Sequence, residues 1–327
     1  MKPFIYLPDY QKEPYIERIH SYVKTYKERL ATQFNNIDEE SEQETEKYYS
    51  EIGSYFNPDR DDPADFAERA RDFGFDYWQT LNLMKYNTYM MTLSTLYQVW
   101  EQQVRELSFK EITRYHHFVD KKGMKLEFKN FCTTFGEIKT LFLNSDWQPT
   151  SITSWDTINE LRLVQNVIKH GDGAAADQLK SIQPGYFRDV NGKLIMDLYS
   201  STLNEIALSI PDTAIDRYRE ALVEFWEEMP ERVHFTIETA PVRIKGPITL
   251  EEETVTDIWG HYVENHKLIP GCTIQIRFQK KWISGTYQWT GNPADKPELH
   301  NKNSSEILTF DLNHQITLEV QNLGSQS

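Results

Sequence analysis

From Ala64 to about Leu107 the chain carries one long helical pattern, and no other feature limits its fold as strongly. Phe73, Phe75, Trp78, Leu81, Met84, Tyr89, Met90, Leu93, Leu96, Tyr97, Trp100 and Val104 supply its apolar side. They recur at the three- and four-residue spacing that gathers side chains on one side of an α-helix. Burying so many large side chains takes other helices, so the pattern predicts a helical core. Its start is written in the sequence as well. Asp62 can cap the first turn, and Pro63 suits the first helical position.

Further helices follow from the same periodicity. Ile16, Ile19, Tyr22, Val23, Tyr26 and Leu30 form a stripe. The acidic run Asp38 to Glu46 reads as a solvated helix face or loop. Helices are expected over Phe109–Val119, Leu126–Leu143 and Asp212–Met229, the last capped by Asp212 and closed by Pro230. From about His234 the style changes to alternating, β-branched and turn-rich segments: HFTIETAPVRI, GCTIQIRF, WISGTYQWT, ILTFDL and QITLEV. Gly285, inside one of them, suggests a bulge or a sharp bend. The linking segment Thr249 to His266 is ambiguous, with a helix as its candidate structure. The expected fold class is mainly α, a helical bundle over residues 1–233. A small all-β domain, SH3-like or a half-barrel, then covers 234–327.

Charge narrows the partners. The 327 residues carry a formal net charge of −15. Such a chain does not bind nucleic acid indiscriminately, because phosphate contacts need Lys and Arg. An RNA site therefore has to be a local basic patch or lie across a dimer seam. The β part holds one basic cluster, Arg277, Lys280 and Lys281, beside Trp282, Tyr287 and Trp289. Cations interleaved with aromatics can hold phosphates and stack bases, which makes Arg277, Lys280, Lys281 and Trp282 candidate nucleic-acid contacts. Cys132 and Cys272 read as reduced core thiols, and no Cys/His spacing matches a zinc site, so no metal or cofactor is expected. Asp59-Arg60-Asp61-Asp62 reads as a charged turn ahead of a helix. The N-terminus lacks a signal-peptide pattern and no run is long enough to span a membrane. The expected location is cytoplasmic, with no membrane partner.

The chemistry-bearing candidate is Glu160 to Gly173, ELRLVQNVIKHGDG. Ile158, Leu161, Val164 and Ile168 form its apolar stripe. Arg162, Asn166 and His170 fall four apart and form a polar stripe on another side. Gly171 and Gly173 stop the helix. A histidine at the carbonyl-rich end of a helix is suited to proton transfer, and a guanidinium on the same side is suited to binding phosphate. Glu101, directly after Trp100 on the long helix, is a candidate partner for a basic residue. No Walker-type loop and no nucleophile elbow are present.

The run Gln165-Asn166-Val167-Ile168-Lys169-His170-Gly171 resembles the signature helix of the HEPN superfamily, and the resemblance covers residues 60 to 180. It implies an all-helical domain that pairs into a homodimer. In many toxin and antiviral systems such domains are metal-independent ribonucleases; in others they are non-catalytic scaffolds or RNA-binding modules. The implied reaction is attack of a ribose 2′-hydroxyl on the adjacent phosphate. Histidine moves protons and arginine stabilises the extra charge on phosphorus. Here Gln165 stands where the family has arginine. Arg162, one turn earlier, or Lys169 is the expected substitute, with Gln165 and Glu101 in support. The expected function is an RNA-directed effector and metal-independent endoribonuclease of a toxin or phage-defence system. The alternative is a non-catalytic dimeric scaffold or antitoxin-like protein that binds a protein partner.

Overall fold

The structure, a computed structural model, describes residues 3–114, 118–119, 126–189, 191–195, 205–236, 241–253, 258–264, 266–278, 281–301, 304–312 and 314–322. Its main helices are α1 (Glu13–Thr25), α2 (Ile37–Gly53), α3 (Pro63–Thr113), α4 (Phe135–Leu143), α5 (Trp155–His170), α6 (Ala174–Ile182) and α7 (Ala214–Glu228). Two compact units share the chain. One takes Asp9–Glu101 and Pro149–Met229; the other takes Met1–Pro8, Gln102–Gln148 and Pro230–Ser327. The expected boundary at residue 233 differs from this division. A change does fall at Pro230, but the N-terminal residues and 102–148 group with the β-rich end of the chain.

The first unit is helical. Asp62 Oδ1 accepts from the Ala64 N–H at 2.8 Å, so the cap read from the sequence starts α3. The acidic cluster before it is that turn: Asp61 also pairs with Arg60 at 2.8 Å. α2 runs back along the start of α3. Tyr48 stacks on Phe73 at 4.3 Å, and Phe56 meets Phe66 edge-on at 5.4 Å. Gly74 permits the approach, since a Cβ there would lie 1.7 Å from Thr45 Oγ1. The acids of α2 are mostly exposed, with Asp38, Glu39 and Glu40 in the first turn, where the helix dipole favours negative charge.

Farther along α3 the apolar side is buried. Leu93, Leu96, Tyr97 and Trp100 join Ile158, Leu161 and Val164 of α5 and Ile215, Tyr218, Leu222 and Trp226 of α7 in the core of this unit. Trp100 meets Phe225 edge-on at 5.1 Å, and Tyr15 of α1 stacks on Trp226 at 4.5 Å. The sequence broke the long helix near Leu107 and expected a separate helix over Phe109–Val119. Instead α3 is continuous to Thr113, with Leu107, Ser108 and Ile112 buried. The helix expected over Leu126–Leu143 shrinks to α4, which starts at a capping box of Thr134 and Glu137.

The second unit is built on strands β1 (Phe4–Tyr6), β2 (Phe118–Val119), β3 (Arg232–His234), β4 (Pro241–Glu253), β5 (Ile258–Val263), β6 (His266–Lys267), β7 (Thr273–Phe278), β8 (Lys281–Gln288), β9 (Glu298–Asn301), β10 (Ile307–Thr309) and β11 (Gln315–Asn322). β1 pairs antiparallel with β3. The large sheet runs β10-β9-β8-β7-β11-β4-β5-β6, with β2 parallel to β11. Among the described residues no pairing joins β10 to β6. The ambiguous segment Thr249–His266 supplies β4, β5 and the start of β6, so its described residues are strand and turn. Alternate residues of β7 and β11, Ile274, Ile276, Ile316 and Leu318, turn into one apolar layer with Ile248, Val263, Tyr287, Leu299 and Phe310.

Gly285 sits where β8 passes closest to β9. A methyl there would lie 2.5 Å from the His300 carbonyl oxygen and 2.7 Å from Leu299 Cγ. Backbone cannot yield as a side-chain tip does. Gly285→Ala is expected to cost about 1–3 kcal/mol by overpacking. Thermal unfolding of the two proteins side by side measures it, and an unchanged melting temperature would contradict the close approach.

Candidate functional site

α5 is buried on most of its circumference. Trp155, Ile158, Glu160, Leu161, Leu163, Val164, Gln165, Val167 and Ile168 all lie inside. Arg162 and Asn166 are half-buried, and Lys169 and His170 are exposed. The polar stripe expected from the sequence is therefore the accessible edge of the helix. Gly171, at φ 70°, ends α5 with its N–H on the Val167 carbonyl at 2.8 Å. Gly173 then opens α6.

Gln165, Arg162 and Lys169, the residues the resemblance singled out, are placed differently. Gln165 is 6% exposed and off the edge. Arg162 donates from Nε to Asn159 Oδ1 at 3.1 Å. Burial lowers the pKa of its guanidinium, opposed by the nearby Tyr97 and Glu101. Tyr97 in turn donates to Glu101 Oε1 at 3.1 Å. Burial, and then Glu101, push the Tyr97 phenol up, so it stays a neutral donor. The Glu101 carboxylate acts on Arg162 through its charge, which favours the charged guanidinium. Lys169 falls seven residues after Arg162. At about 100° per residue it returns to within roughly 20° of the same side, immediately beside His170. Arg162 and His170 are separated by about 12 Å of helix rise. Lys169 is thus the exposed cation nearest His170 in sequence on this edge.

The β cluster divides. Arg277 and Trp282 face each other across β7 and β8, and Phe278 faces Lys281. Arg277 and Lys281 are exposed and Trp282 is 45% exposed. Lys280 lies outside the described residues. Tyr287 is wholly buried and takes no part in that surface.

The residue the sequence reading passed over is Glu160. It is 4% exposed, and its two oxygens collect donors from three elements. Gln183 Nε2, Tyr186 Oη and Arg217 Nη1 each donate at 3.0 Å. Tyr218 Oη donates at 2.6 Å, and Arg217 Nη2 completes a bidentate pair. Burial raises the carboxyl's pKa, but these bonds and the Arg217 charge outweigh it and hold the group below the usual carboxylate range. The one signal in the sequence was a carboxylate at the edge of an apolar stripe, which reads more readily as solvated.

Other chemistry-bearing residues are quiet. Cys132 and Cys272 are free thiols, each pushed by burial up to about 12, where little thiolate forms. Among the described residues no group of three or more His, Cys, Asp and Glu side chains is placed to hold a metal ion. Among the same residues no helix is long and apolar enough to cross a membrane.

No family model, no curated protein and no solved structure matches the chain.

Proposed function

We propose that the chain is an RNA-directed effector that cleaves RNA without metal at the exposed edge of α5, in the manner of a toxin or phage-defence ribonuclease. The observation that carries this reading is the selective exposure of α5. Nine of its sixteen residues are buried; Asp156, Thr157 and Asn159 are accessible in its first turns, and Arg162, Asn166, Lys169 and His170 reach solvent along one side of the rest. His170 transfers the proton between the ribose 2′-hydroxyl and the leaving oxygen. Lys169 and Arg162 hold the phosphate, and Asn166 orients the substrate. Two such edges brought together by a homodimer would double the positive charge at the site.

A second reading is a non-catalytic dimeric scaffold that binds a protein partner. Two observations favour it: Gln165 is buried where the resemblance calls for arginine, and Glu101 lies in the electrostatic neighbourhood of Arg162.

The test is incubation of the purified chain with total RNA and tRNA in EDTA, beside His170→Ala, Lys169→Ala and Arg162→Ala. The nuclease reading expects cleavage by the parent, a loss of about 100-fold or more in His170→Ala and a smaller loss in each cation variant. Uncleaved RNA, or cleavage unchanged in His170→Ala, removes the nuclease reading and leaves the scaffold.

A further inference from the structure

The strands that build the apolar layer of the sheet have a second side. Ile274 and Ile276 of β7 and Tyr287 of β8 turn into that layer, so by alternation Gln275, Arg277, Trp282 and Ser284 lie on the other side. The pairing sets them in order. Gln275 faces Ser284 and Arg277 faces Trp282, with directly opposed side chains about 5 Å apart at Cβ. Thr317 of β11 faces both Gln275 and Lys245 of β4, which puts Lys245 about 10 Å from Gln275 on the same side. Gln315, two residues before Thr317, shares that side. Arg277, Trp282, Lys245 and Gln315 are exposed.

Charge and an open ring identify what this side receives. Arg277, Lys245 and the neighbouring Lys281 are exposed, and none has an ion pair among the described residues. Two carboxylates on the same side are engaged: Glu251 accepts from Thr249 at 2.8 Å, and Glu298 lies 3.0 Å from His300 Nε2. Arg243 shares the side but faces Glu319 of β11 and is set aside. In a chain of net charge −15, three unpaired cations around one aromatic reverse the sign locally and attract a polyanion. Trp282 narrows the choice. It is 45% exposed, whereas Tyr287 of the same strand is wholly buried. A duplex keeps its bases stacked inside, and the carboxylates of an acidic polypeptide make no use of a flat ring. A single nucleic-acid strand offers phosphates to the cations and bare bases to the indole. Gln275, Ser284 and Gln315 add amide and hydroxyl groups suited to base edges.

We propose that this side of the sheet binds single-stranded RNA, with a base stacked on Trp282 and phosphates held by Arg277, Lys281 and Lys245. The choice of RNA over single-stranded DNA rests on the effector reading; the stacking and the phosphate contacts do not. The surface holds RNA and takes no part in the chemistry at α5.

Fluorescence anisotropy of a labelled oligouridylate, titrated in EDTA with the full chain carrying His170→Ala, reads binding without cleavage. Trp282→Ala in that chain should bind about tenfold or more weakly, and Trp282→Phe, which keeps a ring to stack, should recover most of the loss. The logarithm of the binding constant should fall with the logarithm of salt concentration at a slope near −2, from about 0.7 for each of three phosphates neutralised. Arg277→Gln/Lys281→Gln/Lys245→Gln should lose most of that slope. All four side chains are exposed, so the melting temperatures should stay near the parent's. No binding, or binding indifferent to both Trp282→Ala and the triple variant, overturns the proposal. So does competition by oligoglutamate as strong as that of unlabelled oligouridylate and unchanged in Trp282→Ala, which marks a site for an acidic polypeptide. Tighter binding of oligodeoxyuridylate overturns the choice of RNA. The failures are distinguishable: a chain that binds in this way yet leaves RNA uncleaved without the His170 substitution loses the nuclease reading and keeps this one.

Discussion

Glu160→Ala should cost this protein about 3–5 kcal/mol, a large part of the 5–15 kcal/mol that usually separates folded from unfolded chains. The reason is the imbalance left behind. Wild-type Glu160 accepts from Gln183, Tyr186, Arg217 and Tyr218, so one buried carboxylate ties α5 to the end of α6, the turn after it and α7. Removing it takes the acceptor from two phenol hydroxyls 3.4 Å apart, of which only one can then donate to the other. Tyr218 is wholly buried, Tyr186 is 8% exposed, and water cannot replace the lost acceptor freely. Arg217 suffers less, because its side chain is 41% exposed and can turn to solvent. Glu160→Gln keeps the shape, loses the charge, and should fall between the two. The pH dependence has a definite sign. The folded carboxyl titrates below its unfolded value, so the stabilisation is complete above about pH 4.3 and is lost as pH falls through the folded pKa. Urea unfolding of wild type and Glu160→Ala at pH 7 and pH 3 measures this. The gap should be widest at pH 7 and narrow in acid. A gap below about 1 kcal/mol at pH 7 would mean that the cluster is no tie at all.

The contrast between α5 and Glu160 shows what a sequence of this kind reveals. Periodicity reports which side of a helix is apolar, so the Arg162, Asn166 and His170 edge was legible, as were the start of α3 at Asp62-Pro63 and the end of α5 at Gly171. Periodicity does not report what a charged residue meets after folding. Glu160 draws its partners from residues 183, 186, 217 and 218, brought near only by the packing of α6 and α7 on α5. The break expected near Leu107 failed for a related reason. Ser108 is a modest helix former, but it is 1% exposed, and burial of this stretch outweighs that weak local preference. In Thr249–His266 the run Glu251-Glu252-Glu253 hid the alternation, and residues 249–253 and 258–263 are strand through the pairing of β4 with β5. The grouping of the N-terminal strand with Arg232–His234 is a pairing across most of the chain, for which local pattern carries no information.

Acid should also loosen the sheet, through His261. This residue is 2% exposed on β5, with Nδ1 at 2.8 Å from the Tyr287 hydroxyl and its ring 4.3 Å from that of Trp289. Burial lowers its pKa to about 4. Burial first, and then Cys272, push the Tyr287 phenol up, so the hydroxyl keeps its proton and can donate to a neutral imidazole. Protonated Nδ1 could not accept that bond. Between the unfolded value near 6.5 and the folded value near 4 the unfolded chain binds the extra proton, so stability rises with pH across that window. Taking the sheet from pH 7 to pH 4 should therefore cost up to about 3 kcal/mol through this one side chain. His261→Gln removes the titration while leaving a polar group for Tyr287. Amide exchange in the peptides covering 258–263 and 281–288, followed from pH 7 to pH 4, reads the stability of these strands apart from the helical unit. Protection, corrected for intrinsic exchange, should fall more steeply in wild type than in His261→Gln. Parallel profiles would place the acid sensitivity of the sheet elsewhere, with the carboxylates of β4 and β9 the next groups to replace.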